Sequence, residues 1–353
     1  MNSKPLFHAL FMRRPLKSAT NSTIPVMNTL QVGDRLDHYR IESLAAEGGM
    51  ASIYRALDLQ TGMSVAIKVP RFAAESDPVF FERFKREEEI GRRLDHPGVM
   101  KVLADGNGDR SRVYMVMEWL DGRLLRKVLS DEKKLTPQRA TAIALRICEA
   151  LEYIHSHGVV HRDLKPENIV VDSEDGIKLI DFGIAGSAGA RRLTFGKFTH
   201  SMGTPDYVAP EQVKSKRGDA RSDVYALGVI FYEMLTGEMP FEGPNALVVL
   251  NDRLVNHPIP PRERDPEISP QLQEIIYRAL ERNPANRYAS AREFGRDLKN
   301  PDSVGVSERS ELQHWKQRRS RRFTRSKLVL FYAIVALIPI VIMVLLLISA
   351  RRH

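Results

Sequence analysis

The sequence predicts an α+β fold of two lobes, a small sheet-rich lobe followed by a larger helical one, with one transmembrane helix near the C-terminus. Three observations carry this. Residues 39–118 are dominated by short strand-like runs, most of 122–299 places apolar residues at helical spacing, and 328–349 is an apolar run without a charge. A chain of 353 residues with 43% hydrophobic content can build one large domain or two modest ones with real cores, which excludes a disordered chain.

From the N-terminus, residues 1–26 are basic, rich in Ser and Thr, and lack the continuous apolar stretch of a secretory signal. Residues 1–38 read as a disordered extension, and Met27 is a natural alternative start because structured sequence begins soon after it. Residues 39–59 read as strands around a glycine turn, 64–69 as a further strand, 78–94 as a helix and 113–118 as a strand. The lobes join near Trp119. Thr136 followed by Pro137 has the cap and first-turn proline of a helix start. The helix that follows carries the one cysteine, Cys148, which reads as a small buried hydrophobe and allows no disulfide within the chain. Helical patterns recur at 224–236 and 271–281 and end near 299.

Residues 300–327 form a basic linker before the apolar run. The 22 uncharged residues 328–349 make about 33 Å of helix, against a hydrocarbon core of about 30 Å, so they predict a bilayer span. Pro339 predicts a kink, which membrane helices tolerate. Seven basic residues (Lys316, Arg318, Arg319, Arg321, Arg322, Arg325 and Lys327) precede the span, and residues 350–353 form a short tail. That bias predicts a single-pass anchor with the N-terminal bulk in the cytoplasm, and the basic stretch predicts contact with anionic lipid headgroups.

The formal charge of +9 raises the question of a nucleic-acid partner, and its placement argues against one. Lys4, Arg13, Arg14 and Lys17 lie in 1–26 without an acid, seven basic residues lie in 316–327 without an acid, and Arg351 and Arg352 close the chain. With these thirteen set aside from +9, residues 27–315 carry about −4, and no nucleic acid is expected.

The chemistry-bearing motifs stand in order. His161, Arg162, Asp163, Leu164, Lys165, Pro166, Glu167 and Asn168 are followed by Asp181-Phe182-Gly183, with a buried-strand pattern at 177–180 leading in. A single Asp or Asn in a loop is usually a turn former, which does not account for the whole string. Lys68, in Val65-Ala66-Ile67-Lys68, sets an ammonium among apolar strand neighbours, where it is costly without a partner.

With these residues the chain resembles the protein kinase superfamily over about 39–299, with lobes at 39–118 and 122–299. Through Gly48-Gly49-Met50 and the C-terminal anchor it is similar to the eukaryotic-type (Hanks-type) serine/threonine kinases of bacteria. The resemblance implies a bilobal protein-kinase fold, ATP and Mg²⁺ as cofactors with Mn²⁺ as an alternative, and protein substrates with Ser or Thr. Asp163 is then the residue that accepts or orients the substrate proton, Lys165 reaches the transferred phosphate, and Asn168 and Asp181 hold Mg²⁺. Lys68 meets the ATP phosphates and Glu87, chosen over Glu88 and Glu89 because Phe84-Lys85-Arg86-Glu87 stands at the family's spacing from His96-Pro97.

The glycine-rich loop departs from its family. It spans Ala45, Ala46, Glu47, Gly48, Gly49, Met50, Ala51 and Ser52, and two of the three glycine positions of G-x-G-x-x-G fall on Ala46 and Ala51. Added methyls that restrict positive φ predict weaker ATP affinity or a stiffer loop. Ile53 and Ala66 are expected above the adenine, Met117 behind it, and backbone groups of Glu118 and Leu120 beside it.

The segment 181–211 reads as an activation segment, with Thr204 hydrogen-bonding Asp163 and Lys165; Thr204 with Lys165 marks Ser/Thr specificity within the family. Arg162 calls for a phosphate on that segment, with Thr194, Thr199 and Ser201 as candidates. His161, Arg162, Glu211, Asp223 and Arg287 are expected as structural supports, Glu211 pairing with Arg287 and Asp223 bracing the catalytic loop. The expected function is a protein kinase at the inner membrane that phosphorylates Ser/Thr and its own activation segment. The alternative is a pseudokinase scaffold that binds nucleotide without transfer, and the 203–211 segment argues against a small-molecule kinase. With only four residues beyond the span, a response to a signal would use partners, lipids or a homodimer.

Overall fold

The computed structural model describes residues 30–71, 78–103, 111–181, 206–214 and 216–307. Contacts divide the chain into a unit over Met1–Gly305 and a second over Val306–His353. The first holds a five-stranded antiparallel sheet in chain order: β1 (Arg35–Leu36), β2 (Tyr39–Glu47), β3 (Ala51–Asp58), β4 (Ser64–Pro70) and β5 (Met115–Glu118). Between β4 and β5 runs helix α1 (Pro78–Arg93).

Strand alternation gives this sheet two apolar faces. Tyr39, Ile41, Tyr54, Ala56, Val65, Ile67, Val69 and Val116 close on one another on one side. On the other, Ala66, Met115 and Met117 meet Phe84 of α1 and also Leu124, Val170 and Ile180 from the larger lobe. The register fixes which residues share that second face, because Ile53 stands opposite Lys68, Arg55 opposite Ala66, Ala66 opposite Met117 and Lys68 opposite Met115. Apolar residues for a ligand and the lysine are thereby delivered together.

The larger lobe contains α2 (Leu125–Glu132), α3 (Pro137–Ser156), α4 (Pro210–Val213), α5 (Ala220–Thr236), α6 (Ala246–Val255), α7 (Pro261–Arg264), α8 (Pro270–Ala279) and α9 (Ala291–Lys299). Its start signals act as read. The Thr136 side chain accepts from the Arg139 amide at 3.3 Å and Pro137 opens α3. Helix α5 is buried along Ser222–Leu235, so it forms the lobe's central post, with α3, α8 and α9 packed around it. It ends at Gly237, whose φ of 73° suits only glycine at this spot: a Cβ there would stand 2.8 Å from the Lys133 carbonyl oxygen.

A second sheet of β6 (Arg123–Leu124), β7 (Ile169–Val171) and β8 (Ile177–Leu179) lies in the larger lobe. Only its last strand was legible beforehand, because two- and three-residue strands carry no period. No helix among the described residues is long and apolar enough to cross a membrane, and the apolar run 328–349 lies outside them.

Two elements far apart in sequence are joined by a buried ion pair. Arg287 donates from Nη1 to Glu211 Oε1 at 2.8 Å and from Nη2 to Oε2 at 2.7 Å, and its side chain is 0% exposed. Burial raises the Glu211 pKa, but the Arg287 hydrogen bonds and charge outweigh it, and the carboxyl lies below its ordinary value of 4.5. The pair's stabilisation is therefore complete above the unfolded value and is lost as pH falls through the lower folded one. Glu211→Ala, which strands a buried guanidinium, is expected to cost about 3–5 kcal/mol in urea unfolding at pH 7, and the gap from wild type should shrink below pH 4.5.

Candidate active site

The site lies where the sheet's second face meets β7, β8 and the loop before them. Lys68 on β4 donates to Glu87 Oε1 on α1 at 2.7 Å and to Asp181 Oδ1 at 2.8 Å. Of the three consecutive glutamates, Glu88 and Glu89 pair instead with Arg92 and Arg93 one turn on. Lys68 and Glu87 are largely withdrawn from water, their side chains 14% and 18% exposed, whereas the Asp181 side chain is 38% exposed. Burial acts against the Lys68 ammonium, yet Asp181 and Glu87 more than offset it and raise its pKa above the ordinary value. Lys68 holds the Asp181 carboxyl below the usual range, whereas burial pushes Glu87 up.

The loop after His161 brings the other candidates together. Lys165 Nζ donates to Asp163 Oδ2 at 2.6 Å, and Asn168 Nδ2 donates to the Asp163 carbonyl at 2.8 Å and to Oδ2 at 3.2 Å. Asn168 is itself fixed to the strand carrying Asp181, since its carbonyl accepts from the Ile180 amide at 2.9 Å. Asp223, 1% exposed near the start of α5, accepts the amides of His161 at 2.8 Å and Arg162 at 2.7 Å. His155 Nε2 lies 2.8 Å from the same carboxylate. These bonds hold the loop in a conformation it would not choose alone, with Arg162 at φ 63° and Asp181 at φ 55°.

At the apolar end, Ile53, Ala66, Met117, Trp119 and Leu120 belong to the cluster that spans the two lobes. The Glu118 carboxylate accepts from Lys178 Nζ on β8 at 2.6 Å and from the Lys101 amide at 2.8 Å, so it faces away as a brace. Arg55 lies with its Cζ 5.0 Å from the Trp119 ring and its Nε 3.1 Å from Glu42. In the glycine-rich loop Ala46 pairs with Ile53, Ala51 pairs with Pro70, and Gly48 donates to the Ala51 carbonyl at 2.9 Å. Neither alanine has positive φ, so the backbone restriction expected from the sequence is not in play; only the bulk of the methyls remains. Ala45 and Ser52 are buried, Met50 is exposed, and Gly49 has open space around it. Glu47 pairs with Arg71 beyond the end of β4.

Thr204 and the candidate phosphosites Thr194, Thr199 and Ser201 lie outside the described residues. Sequence reasoning missed His155, Lys178 and Arg126. Arg126 on α2 ties Glu167 at 2.8 Å and Glu233 at 2.6 Å, and also reaches the Tyr207 hydroxyl. Their partners are 60 residues or more away, or 41 for Glu167, and no local spacing announces such contacts.

Comparison with known proteins decides the family, since residues 39–296 match the protein kinase domain. The chain belongs to the protein kinase family. The kinase is 37% identical over 265 residues to serine/threonine-protein kinase PknB of Mycolicibacterium smegmatis, covering 74% of this chain and 42% of that one. It is 38% identical over 263 residues to the probable serine/threonine-protein kinase SCO3848 of Streptomyces coelicolor, covering 74% and 39%. The kinase thus spans less than half the length of these relatives. The crystal structure of the Mycobacterium tuberculosis PknI kinase domain superposes with a TM-score of 0.60 at 27% identity, covering 77% of this chain and all of that one.

Glu87→Gln, which removes one of the two charges on Lys68, is expected to lower phosphoryl transfer by about 10–100-fold in a steady-state assay, while Glu89→Gln stays within about twofold. The double variant Ala46→Gly, Ala51→Gly should lower the KM for ATP by about twofold or more if the methyls crowd the phosphates. An unchanged KM would remove that explanation.

Proposed function

We propose that the kinase transfers the γ-phosphate of ATP to Ser/Thr hydroxyls of proteins, including its own activation segment, while held at a membrane. The observation that carries the reading is the linked set of Lys68 with Asp181 and of Lys165 and Asn168 with Asp163, joined through the Asn168 carbonyl and the Ile180 amide, beside the apolar residues Ala66 and Met117. Phosphoryl transfer asks mainly for positioning and for neutralisation of charge.

Asp163 is the carboxylate that orients the acceptor hydroxyl and takes its proton as the oxygen attacks the γ-phosphorus, while the bond from that phosphorus to the β-phosphate oxygen breaks and ADP leaves. Lys165 already lies on Asp163 Oδ2 and is placed to share its charge between that carboxylate and the incoming phosphoryl oxygens. Lys68 is fixed by Glu87 so that its ammonium meets the ATP phosphates rather than solvent. The donor set fits a hard cation: Asp181 engages Lys68 through Oδ1, and Asn168 donates through Nδ2, which leaves the Asp181 Oδ2 and Asn168 Oδ1 oxygens for Mg²⁺. When bound, Mg²⁺ supplies charge neutralisation of the phosphates. Ile53, Ala66 and Met117 enclose the adenine, with backbone groups of Glu118 and Leu120 at its edge. Thr204 steadies Asp163 and Lys165, and a phosphate on Thr194, Thr199 or Ser201 answers the charge of Arg162.

For the rest of the chain we read 1–38 as an extension, 39–299 as the kinase domain, 300–327 as a basic linker and 328–349 as the anchor. The support is the uncharged length of the run and the seven basic residues before it. The basic stretch before the anchor is the element that would meet anionic lipid headgroups, and a homodimer is one route by which the kinase would respond to a signal.

Radiolabelled ATP with a generic basic protein tests the activity. Wild type should label the protein and itself between residues 181 and 204, and Asp163→Asn should lose about 10²-fold or more. Labelling unaffected by Asp163→Asn would reject the assignment, and nucleotide binding without any labelling would favour the scaffold. Truncation of residues 316–353 should release the kinase from liposomes in flotation; retention would reject the anchor.

A further inference from the structure

Arg253 on α6 is 1% exposed and is among the largest wholly buried side chains of the described residues. Arginine remains protonated in proteins, and a buried guanidinium is expensive unless its donors are met. Its Nη1 donates to the Val208 carbonyl at 2.8 Å and its Nη2 donates to the Asp206 carbonyl, while its Cζ lies over the Phe241 ring, 5.6 Å from the centroid, and its side chain also hydrogen-bonds Tyr225 of α5. Two carbonyls two residues apart, Asp206 in a turn and Val208 just after it, are met together by the two Nη groups, which suits a planar fork and not a single ammonium.

The segment so held, residues 206–213, is attached on its other side to the catalytic loop. Gln212 Nε2 donates to the carbonyl of Arg162, the residue before Asp163, at 3.0 Å. The Tyr207 hydroxyl donates to Glu233 at 2.5 Å, and Arg126 links that pair to Glu167 at 2.8 Å, four residues beyond Asp163. The C-terminal part of the same segment is held at Glu211 by Arg287, and Asp223 braces the catalytic loop itself. Arg253 thus grips the backbone of one short segment, whose Asp206 and Val208 are only half-buried beside the catalytic loop.

We propose that Arg253 is a positioning residue for the protein acceptor: it sets the segment 206–208 at the height from which a substrate hydroxyl is presented to Asp163. This rests on the kinase activity proposed above. Loss of the fork lets the segment move relative to Asp163 and penalises the acceptor, while ATP, bound by β2 to β5 and by Lys68, is unaffected.

The test uses the full chain in detergent micelles, with the generic basic protein as acceptor and Arg253→Met and Arg253→Lys as variants. Arg253→Met keeps much of the buried volume without donors and is expected to raise the KM for the acceptor about tenfold. Its KM for ATP and its slow hydrolysis of ATP by water should remain within about twofold of wild type. Arg253→Lys keeps the charge but not the fork, so its acceptor KM should fall between the two; if Arg253→Met does not fold, this variant alone decides. An acceptor KM unchanged in Arg253→Lys overturns the proposal. So does a parallel fall of acceptor use, ATP affinity and melting temperature, which is the signature of a purely structural arginine. A wild type that labels no protein overturns the activity and this inference together, whereas an active wild type with an unchanged acceptor KM in the variants overturns this inference alone.

Discussion

The structure depends on one ammonium. Lys68 has to be on a strand whose neighbours are apolar, and its charge is tolerable only because Glu87 arrives from α1 and Asp181 from the end of β8. Three elements of separate origin are thereby fixed to within a hydrogen bond. The sheet supplies the lysine and the apolar face together because both follow from a period of two along β4. With the lysine in place, Asp181 is held ionised and the backbone at that residue accepts a left-handed conformation it would otherwise avoid.

The larger lobe applies the same logic to backbone groups. Asp223 receives two amides from the catalytic loop and a histidine from α3, and Arg287 receives Glu211. Each is a buried charge whose partners come from distant segments, so breaking one leaves an uncompensated charge and not merely a missing contact. Helix α5 makes this possible: buried along Ser222–Leu235, it offers Asp223 and Glu233 to the loops packed against it.

Much of this was legible in the sequence. The long strands 39–47 and 51–58, the helix over 78–93 and the capped start at Thr136 rest on local periodicity and local chemistry, which a sequence displays directly. The choice of Glu87 from a run of three came from its spacing to His96-Pro97, and its contact with Lys68 is a local consequence of helix phase. The short sheet β6 to β8 was only partly visible, and the roles of Arg126, His155 and Lys178 were not visible at all. Those side chains act through partners brought near by the fold, and their residue types are ordinary for exposed helix or strand positions. The alanines of the glycine-rich loop were read as a backbone problem; the strand pairing of Ala46 and Ala51 makes them a question of volume alone.

The stack of Arg55 on Trp119 has a use that does not depend on any role in catalysis. The chain has 2 tryptophans, and this one lies at the junction of the lobes, against the apolar cluster that both lobes share. A guanidinium within about 6 Å of an indole centroid is attracted by the ring's quadrupole, so a shift of Arg55 away from Trp119 forfeits that attraction. The contact therefore ties β3 to the residue that follows β5, at the place where the apolar cluster shared by the two lobes begins.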